Sequence, residues 1–239
     1  MWLDRQALVI GQEGCDALRR SRVAVIGIGG VGGAAAEALC RCGIGDLLVM
    51  DHDRVDDTNR NRQLLATAET VGRRKVAVLG ERLRAINPDC RVEERDCFLD
   101  ADTLPELLAW RPDYVVDCID TVTSKLALIE GCQGAGVPLV CCLGTGNRLD
   151  PTQFHLGDLY DTGGCGDPLA RVMRSLCRKR GIERLEVVYS TAPVIRPPEG
   201  FADDSPQGRH SPGSVSFVPP VAGYTLASLV VRRLLGLPC

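Results

Sequence analysis

The stretch Gly27-Ile28-Gly29-Gly30-Val31-Gly32 follows directly on a short apolar run, Arg22-Val23-Ala24-Val25-Ile26. The residues after it, 33–42, are rich in Ala and Leu, so the order predicts a strand, a tight turn and a helix. Glycine allows the turn, lets a phosphate approach the backbone N–H groups, and permits close packing of helix on strand. The turn is therefore predicted to cradle a nucleotide phosphate at the helix N-terminus, through Gly27, Gly29, Gly30 and Gly32.

A second apolar run, 47–50, ends at Asp51. A carboxylate at this position can bind a ribose, which taken alone favours NAD. The polar segment 51–63 favours a different ligand, because carboxylates are followed there by an amide and by arginines, and Lys75 comes shortly after. A triphosphate carries more charge than a dinucleotide, and its leaving pyrophosphate needs cationic stabilisation. We therefore expect Arg62 and Lys75 to clamp the phosphates of a nucleoside triphosphate.

Apolar runs and helical patterns alternate through the first 150 residues. This alternation predicts an α/β fold, a Rossmann-like, doubly wound and mainly parallel sheet with helices on both faces. The helices are predicted at 6–20, interrupted at Gly11 and Gly14, and at 69–86, 103–110 and 125–135; further strands are predicted at 91–95, 114–119 and 137–142. Ligands bind at the carboxyl ends of such strands, so Asp51 and Asp120 should face one crevice. Asp120 there suits Mg²⁺, which prefers hard oxygen ligands.

The character of the chain changes after residue 150. We expect one domain over residues 1–239, with a nucleotide-binding core at 1–150 and a C-terminal part at 151–239. That part should hold a basic helix at 167–180, a strand at 185–189 and a final helix at 220–235. The segment 191–214 is rich in Pro, Gly and Ser and is expected to be a mobile loop, either a lid or a disordered insertion.

Composition excludes several classes of protein. The net charge of −3 gives no bulk attraction to nucleic acid or to anionic lipid, although a local basic patch could still bind RNA. No apolar run is long enough to cross a bilayer and the N-terminus does not resemble a signal peptide, so we expect a cytoplasmic protein without a membrane partner. The 12 cysteines include no Cys-x-x-Cys pair, which favours reduced thiols and argues against structural zinc.

Together these motifs resemble the E1-like (ubiquitin-activating, ThiF-type) superfamily, which adenylates carboxylates with ATP. The resemblance is carried by the glycine turn and by Asp51-x-Asp53-x-Val55, Asn59, Arg62-Gln63, Lys75, Ile86-Asn87-Pro88 and Asp117-Cys118-Ile119-Asp120. Other segments are similar to its tRNA threonylcarbamoyladenosine dehydratase branch, namely Gly43-Ile44-Gly45, Asp150-Pro151-Thr152-Gln153, Asp167-Pro168-Leu169-Ala170 and Phe217-Val218-Pro219-Pro220-Val221-Ala222-Gly223.

The resemblance implies an enzyme that uses ATP and Mg²⁺ to adenylate the threonyl carboxylate of N6-threonylcarbamoyladenosine in tRNA, and then closes a ring with loss of water. It implies a binding role for the following residues: Asp51 for the ribose, Asp53 elsewhere on the nucleotide, Asn59, Arg62 and Lys75 for the phosphates, and Asp120 for Mg²⁺. It also implies a homodimer in which Arg5 enters the partner's ATP site. Arg5, Arg62, Lys75 and Asp120 are thus the expected catalytic set.

Substrate recognition is less determined than nucleotide binding. The segments 163–166 and 191–214 depart from the dehydratase pattern, and Cys165 is the candidate if a thiol takes part. The basic helix places Arg171, Arg174 and Arg178 on one face, either for tRNA phosphates or as a solvated surface. Two alternatives remain: an E1-like enzyme that activates a ubiquitin-like sulfur carrier, and an NAD-dependent oxidoreductase or nucleotide-sensing module.

Overall fold

The computed structural model describes residues 2–196, 198 and 212–238. Seven strands form one sheet: β1 (Arg22–Ile26), β2 (Asp46–Met50), β3 (Arg91–Arg95), β4 (Tyr114–Asp117), β5 (Leu139–Cys142), β6 (Phe154–Asp158) and β7 (Glu186–Ser190). Their order across the sheet is β3-β2-β1-β4-β5-β7-β6. All neighbours are parallel except β6 and β7. The predicted Rossmann-like, mainly parallel sheet is therefore confirmed.

Helices cover both faces of the sheet: α1 (Asp4–Arg20), α2 (Gly30–Arg41), α3 (Lys75–Ile86), α4 (Leu104–Ala109), α5 (Val122–Ala135), α6 (Pro168–Lys179) and α7 (Val218–Leu234). Side chains alternate along β1, so that Val23 and Val25 pack in a core with α2, α3 and α7. Ala24 and Ile26 pack on the other face with α4 and α5. The wholly apolar centre of β1 and β2 follows from this burial on both faces.

Two expectations for the first 150 residues turn out differently. The helix predicted to begin at residue 69 begins at Lys75. Gly72 ends the preceding turn with φ 85°, and its N–H donates to the carbonyl of Val55, whose own N–H donates to Arg73. These backbone groups are thus unavailable to a helix. The interruption of the first helix at Gly11 is confirmed (φ 73°), whereas Gly14 continues the helix.

The C-terminal part extends the same sheet. Strand β6 was not predicted, because it is a five-residue edge strand with a weak apolar alternation, Phe154 and Leu156. Helix α7 was predicted with an apolar stripe, of which Ala222, Leu226, Leu229 and Val230 are buried and Leu234 is half-buried. A side chain at Gly223 would collide with the carbonyl oxygen of Val31, so α7 lies in close contact with α2.

The loop predicted at 191–214 is described only at its two ends. Residues 191–196 and 212–214 have no helix or strand, and most of the segment lies outside the described residues. The prediction of mobility concerns that undescribed stretch. Within the described part of the chain, no helix combines the length and apolar character needed to span a membrane.

Candidate nucleotide-binding site

The glycine turn joins β1 to α2 and its geometry requires glycine at two positions. Gly27 has φ 81°, and a Cβ there would lie 2.9 Å from the carbonyl oxygen of Cys118. A Cβ at Gly32 would collide with the carbonyl oxygen of Gly27. At Gly29, by contrast, the Gln63 amide is the only group of the described part of the chain within 4 Å of the Cβ position, leaving aside the neighbouring backbone. The turn is thus packed on its inner side and leaves room above Gly29, beside the first N–H groups of α2, for an anionic group.

The Asp51 carboxylate organises the turn from the end of β2. Its Oδ2 accepts the N–H of Ile28 at 2.8 Å, and its Oδ1 accepts the N–H of Asp53 at 2.8 Å. Asp51 is buried, with 9% of its surface exposed. Asp51, the residue predicted to bind the ribose, therefore lies against the glycine turn at the carboxyl end of β2.

Asp53 and Lys75 form an ion pair at the N-terminus of α3, with Nζ 2.7 Å from Oδ2. The lysine side chain is 6% exposed and the aspartate 50% exposed. A second contact fixes the backbone, because the N–H of Lys75 donates to the carbonyl of Asp53. The ammonium is consequently held at the crevice beside a carboxylate that solvent and ligands can reach.

The loop between β2 and α3 presents Arg62 through a short 3₁₀ turn. Asn59 is buried and its Oδ1 accepts the N–H of Asp56, which closes a capping box on that turn. The Arg62 N–H donates to the Asn59 carbonyl at 3.0 Å, and a Cβ at Gly30 would lie 3.2 Å from the Arg62 carbonyl oxygen. Asn59 therefore shapes the loop that sets Arg62 next to the glycine turn.

Asp120 follows β4 at the same edge of the sheet, since Cys118 and Ile119 contact Gly27. Its carboxylate is exposed, and from the described residues it accepts only a long hydrogen bond, 3.4 Å, from the Thr121 hydroxyl. Asp51 and Asp53 also lie within 4.8 Å of each other with His52. Their oxygens, however, already accept backbone N–H groups or pair with Lys75. Asp120 thus offers the less committed hard oxygen for a divalent cation.

A buried ion pair under the crevice was missed from the sequence. The Lys125 ammonium lies 2.7 Å from Asp117 and 3.1 Å from the carbonyl of Cys142, and both charged side chains are fully buried. Burial alone would lower the pKa of Lys125, but the neighbouring groups, Asp117 foremost among them, leave the pKa raised. The one carboxylate inside an otherwise apolar strand, Asp117, was the available signal that a buried cation was needed.

The thiols near the crevice have the character of core side chains. Burial raises the pKa of Cys118, which touches the glycine turn, and raises the pKa of Cys142 to about 12. Cys165 is 8% exposed and packs in an apolar cluster with α5 and α6. Its surroundings are those of a structural cysteine rather than an activated nucleophile.

Arg5 is separated from the rest of the predicted site. Gln6, the next residue on α1, donates to the carbonyl of Cys42 at the C-terminal end of α2. The glycine turn is at the other end of that 12-residue helix, about 18 Å away at 1.5 Å per residue. Arg5 therefore lies far from the glycine turn of its own chain, which contrasts with the other predicted site residues.

Comparison with known proteins identifies the family. Residues 3–239 match the ThiF family. The chain is 39% identical to the tRNA threonylcarbamoyladenosine dehydratase of Bacillus subtilis (strain 168) over 97% of this chain and 93% of that protein. The structure of E. coli tRNA N6-threonylcarbamoyladenosine dehydratase in complex with ATP superimposes with TM-score 0.85 at 33% identity, covering 97% and 93% of the two chains. The E. coli molybdopterin-synthase adenylyltransferase is also 39% identical, but over only 57% of this chain and 55% of that protein. The chain belongs to the ThiF family and, within it, to the tRNA threonylcarbamoyladenosine dehydratases.

Proposed function

We propose that this chain is an ATP-dependent tRNA threonylcarbamoyladenosine dehydratase, an E1-like adenylating enzyme. The observation that carries the proposal is the similarity to such dehydratases along nearly the whole chain, including the C-terminal part. The molybdopterin-synthase adenylyltransferase shares only about half of the chain, which weighs against the sulfur-carrier alternative. The ATP complex of the solved relative weighs against NAD.

The side chains described above support a carboxylate adenylation. The threonyl carboxylate of the modified adenosine attacks the α-phosphate of ATP and expels pyrophosphate. Arg62 and Lys75 stabilise the charge that develops on the phosphates, and Asp51 orients the ribose from beneath the glycine turn. Asp53 holds Lys75 in place. Asp120 would hold Mg²⁺, which would neutralise phosphate charge when bound.

The second half of the reaction needs no protein nucleophile. A nitrogen or oxygen of the substrate's own carbamoyl group attacks the acyl adenylate, so the ring closes and AMP leaves. Because the attacking group belongs to the same molecule, its effective concentration is large. The buried position of Cys165 supports this route over a thioester intermediate.

We also propose a homodimer, on which the role of Arg5 depends. Leu8 and Val9 on the same helix are 84% and 82% exposed, an apolar surface that a second copy of the chain could cover. We propose that Arg5 enters the crevice of the partner subunit, since α1 holds it far from the crevice of its own chain. We also propose that residues 1–239 act as one adenylating domain, because β7 and β6 extend the sheet and α7 packs on α2.

Helix α6 supplies the proposed RNA surface, but its arginines differ from one another. Arg174 donates from Nη1 to the carbonyl and the hydroxyl of Thr162, so it fastens a turn of the fold. The Arg178 guanidinium stacks over the ring of Tyr160 at 5.2 Å. Arg171 and Lys179 are exposed and line a shallow surface cavity of about 450 Å³ with these two arginines. We propose that Arg171 and Lys179 contact tRNA phosphates.

Nucleoside mass spectrometry tests the proposed function. Purified enzyme is incubated with ATP, Mg²⁺ and tRNA that carries threonylcarbamoyladenosine. The proposal predicts a modified nucleoside lighter by one water, formed only when ATP is present. Unchanged nucleoside in the complete reaction would contradict it.

A further inference from the structure

A line of hydrogen bonds connects the phosphate clamp to residues far along the chain. Arg62 donates from Nη1 to the Thr58 carbonyl and to the Asn61 Oδ1, each at 2.8 Å. The other end of the Asn61 amide, Nδ2, donates to the carbonyl of Ser214 at 3.0 Å. Asn61 therefore joins the Arg62 guanidinium to a backbone group 153 residues away in sequence.

The backbone next to Ser214 is itself firmly held. The N–H of Gly213 donates to the Asn147 Oδ1 at 2.6 Å, and the N–H of Asn147 donates to the Gly213 carbonyl at 2.7 Å. The Asn147 carbonyl accepts the N–H of Ile195 at 2.8 Å. Asn147 has φ 56°, a left-handed conformation that asparagine tolerates, and it lies in the loop after β5 at the carboxyl edge of the sheet. The anchor of Asn61 is thus a fixed part of the crevice edge.

Asn61 is not needed to fold its own loop. That loop is closed by the capping box between Asp56 and Asn59 and by the hydrogen bond from Thr58 to Asp56. The Asn61 side chain is exposed and contributes nothing to the apolar core. What it does contribute is a second acceptor for the Nη1 group of Arg62, beside the Thr58 carbonyl.

We propose that Asn61 is a positioning residue that aims the Arg62 guanidinium at the nucleotide phosphates, and that it can do so because Ser214 holds its amide. An amide suits this task since one end accepts from the guanidinium while the other donates to a carbonyl. Adenylation would then depend on the placement of residues 213 and 214, which ties the C-terminal part of the chain to nucleotide chemistry. The inference rests on the proposed function, through the role of Arg62.

The test is a double-mutant cycle on AMP release from ATP with modified tRNA. Asn61→Ala should lower kcat about tenfold and change KM for ATP by less than about twofold. The reason is that the orientation of the Arg62 guanidinium toward the phosphates matters most in the transition state. In an Arg62→Ala background, Asn61→Ala should cause no further loss. A merely structural role would persist in that background, and additive losses would overturn the proposal.

Two further variants separate the two ends of the amide. Asn61→Asp keeps an acceptor for Arg62 but loses the donor to Ser214, and it should be slowed like Asn61→Ala. Asn147→Gly keeps the left-handed backbone but loses the acceptor for Gly213, and it should be slowed in the same direction, again only when Arg62 is present. Wild-type rates for both variants would remove Ser214 and its anchor from the proposal.

The control is Arg60→Ala in the same loop, since Arg60 pairs with the exposed Asp57 and touches none of this line. It should keep the wild-type rate. If wild type and Arg60→Ala release no AMP with modified tRNA, the proposed function fails. If both are active and Asn61→Ala matches them, this inference alone fails.

Discussion

Two lysine–aspartate pairs lie at the same crevice and have the same Nζ to Oδ2 distance, 2.7 Å. Each lysine lies in the first turns of a helix that follows a strand, Lys75 in α3 and Lys125 in α5. Their surroundings differ, because Asp53 is half exposed whereas Asp117 and Lys125 are fully buried. Solvent therefore reaches the Asp53 carboxylate of the first pair, whereas neither side chain of the second pair is exposed.

This difference shows that the same two residue types, at the same distance from each other, can lie in opposite environments. The buried pair holds β4, α5 and the end of β5 together, because Lys125 bonds both to Asp117 and to the Cys142 carbonyl. In the proposed function, the half-exposed pair keeps the Lys75 ammonium available to the phosphates of ATP. Substituting the same residue at both positions should therefore give opposite results.

The largest effect is expected for Lys125→Met. It leaves the Asp117 carboxylate buried without a counter-charge, which costs about 3–5 kcal/mol in the free energy of unfolding. Denaturant unfolding of the purified variant measures this loss. Adding Asp117→Asn removes the remaining charge and should recover most of the stability and activity. A Lys125→Met variant as stable as wild type would abolish the contrast between the two pairs.

Lys75→Met should keep the fold and lose the reaction. Its aspartate partner is half exposed and can be solvated, so we expect a change in unfolding free energy within about 1 kcal/mol. Loss of charge stabilisation in the transition state should slow AMP formation on the order of 10². The measurement is AMP release at saturating ATP and modified tRNA. Near-normal AMP release would mean that the half-exposed position of the Asp53–Lys75 pair does not indicate a catalytic lysine.

Arg5 extends the comparison to a side chain that lies far from the crevice of its own chain. If it acts across a dimer, Arg5→Ala and Lys75→Met chains should each be inactive alone. Mixed in equal amounts and allowed to exchange subunits, they should regain about a quarter of wild-type activity, since half the dimers are mixed and one of their two sites is intact. Verified mixed dimers that stay inactive would mean that Arg5 acts within its own chain or not at all.

Helix α6 offers a similar contrast between exposed basic side chains and one that is hydrogen-bonded within the fold. The expected effect is smallest here. Arg171→Glu with Lys179→Glu should weaken tRNA binding severalfold and reduce the slope of log K against log salt by about two. ATP affinity should not change. Arg174→Glu should instead destabilise the fold, because Arg174 is bonded to Thr162. Equal salt slopes for wild type and the double variant would leave α6 a solvated surface.

The sequence was sufficient for the parts of the site that local patterns determine. The glycine turn, the strand before it and Asp51 follow from one short stretch, and β1 is observed at the predicted residues. The burial of Lys125, the anchoring of Asn61 by Ser214 and the packing of α7 on α2 depend on contacts between distant residues. Strand β6 was missed for a related reason, since its pairing with β7 rather than its own pattern makes it a strand.

The most direct test of the account is AMP release with two tRNA preparations that differ only in the threonylcarbamoyl group. Adenylation requires the threonyl carboxylate, so the account predicts AMP release and a nucleoside lighter by one water with modified tRNA, and neither with unmodified tRNA. Lys75→Met serves as the inactive control in both arms. Equal AMP release from the two preparations, with no lighter nucleoside, would contradict the proposed function.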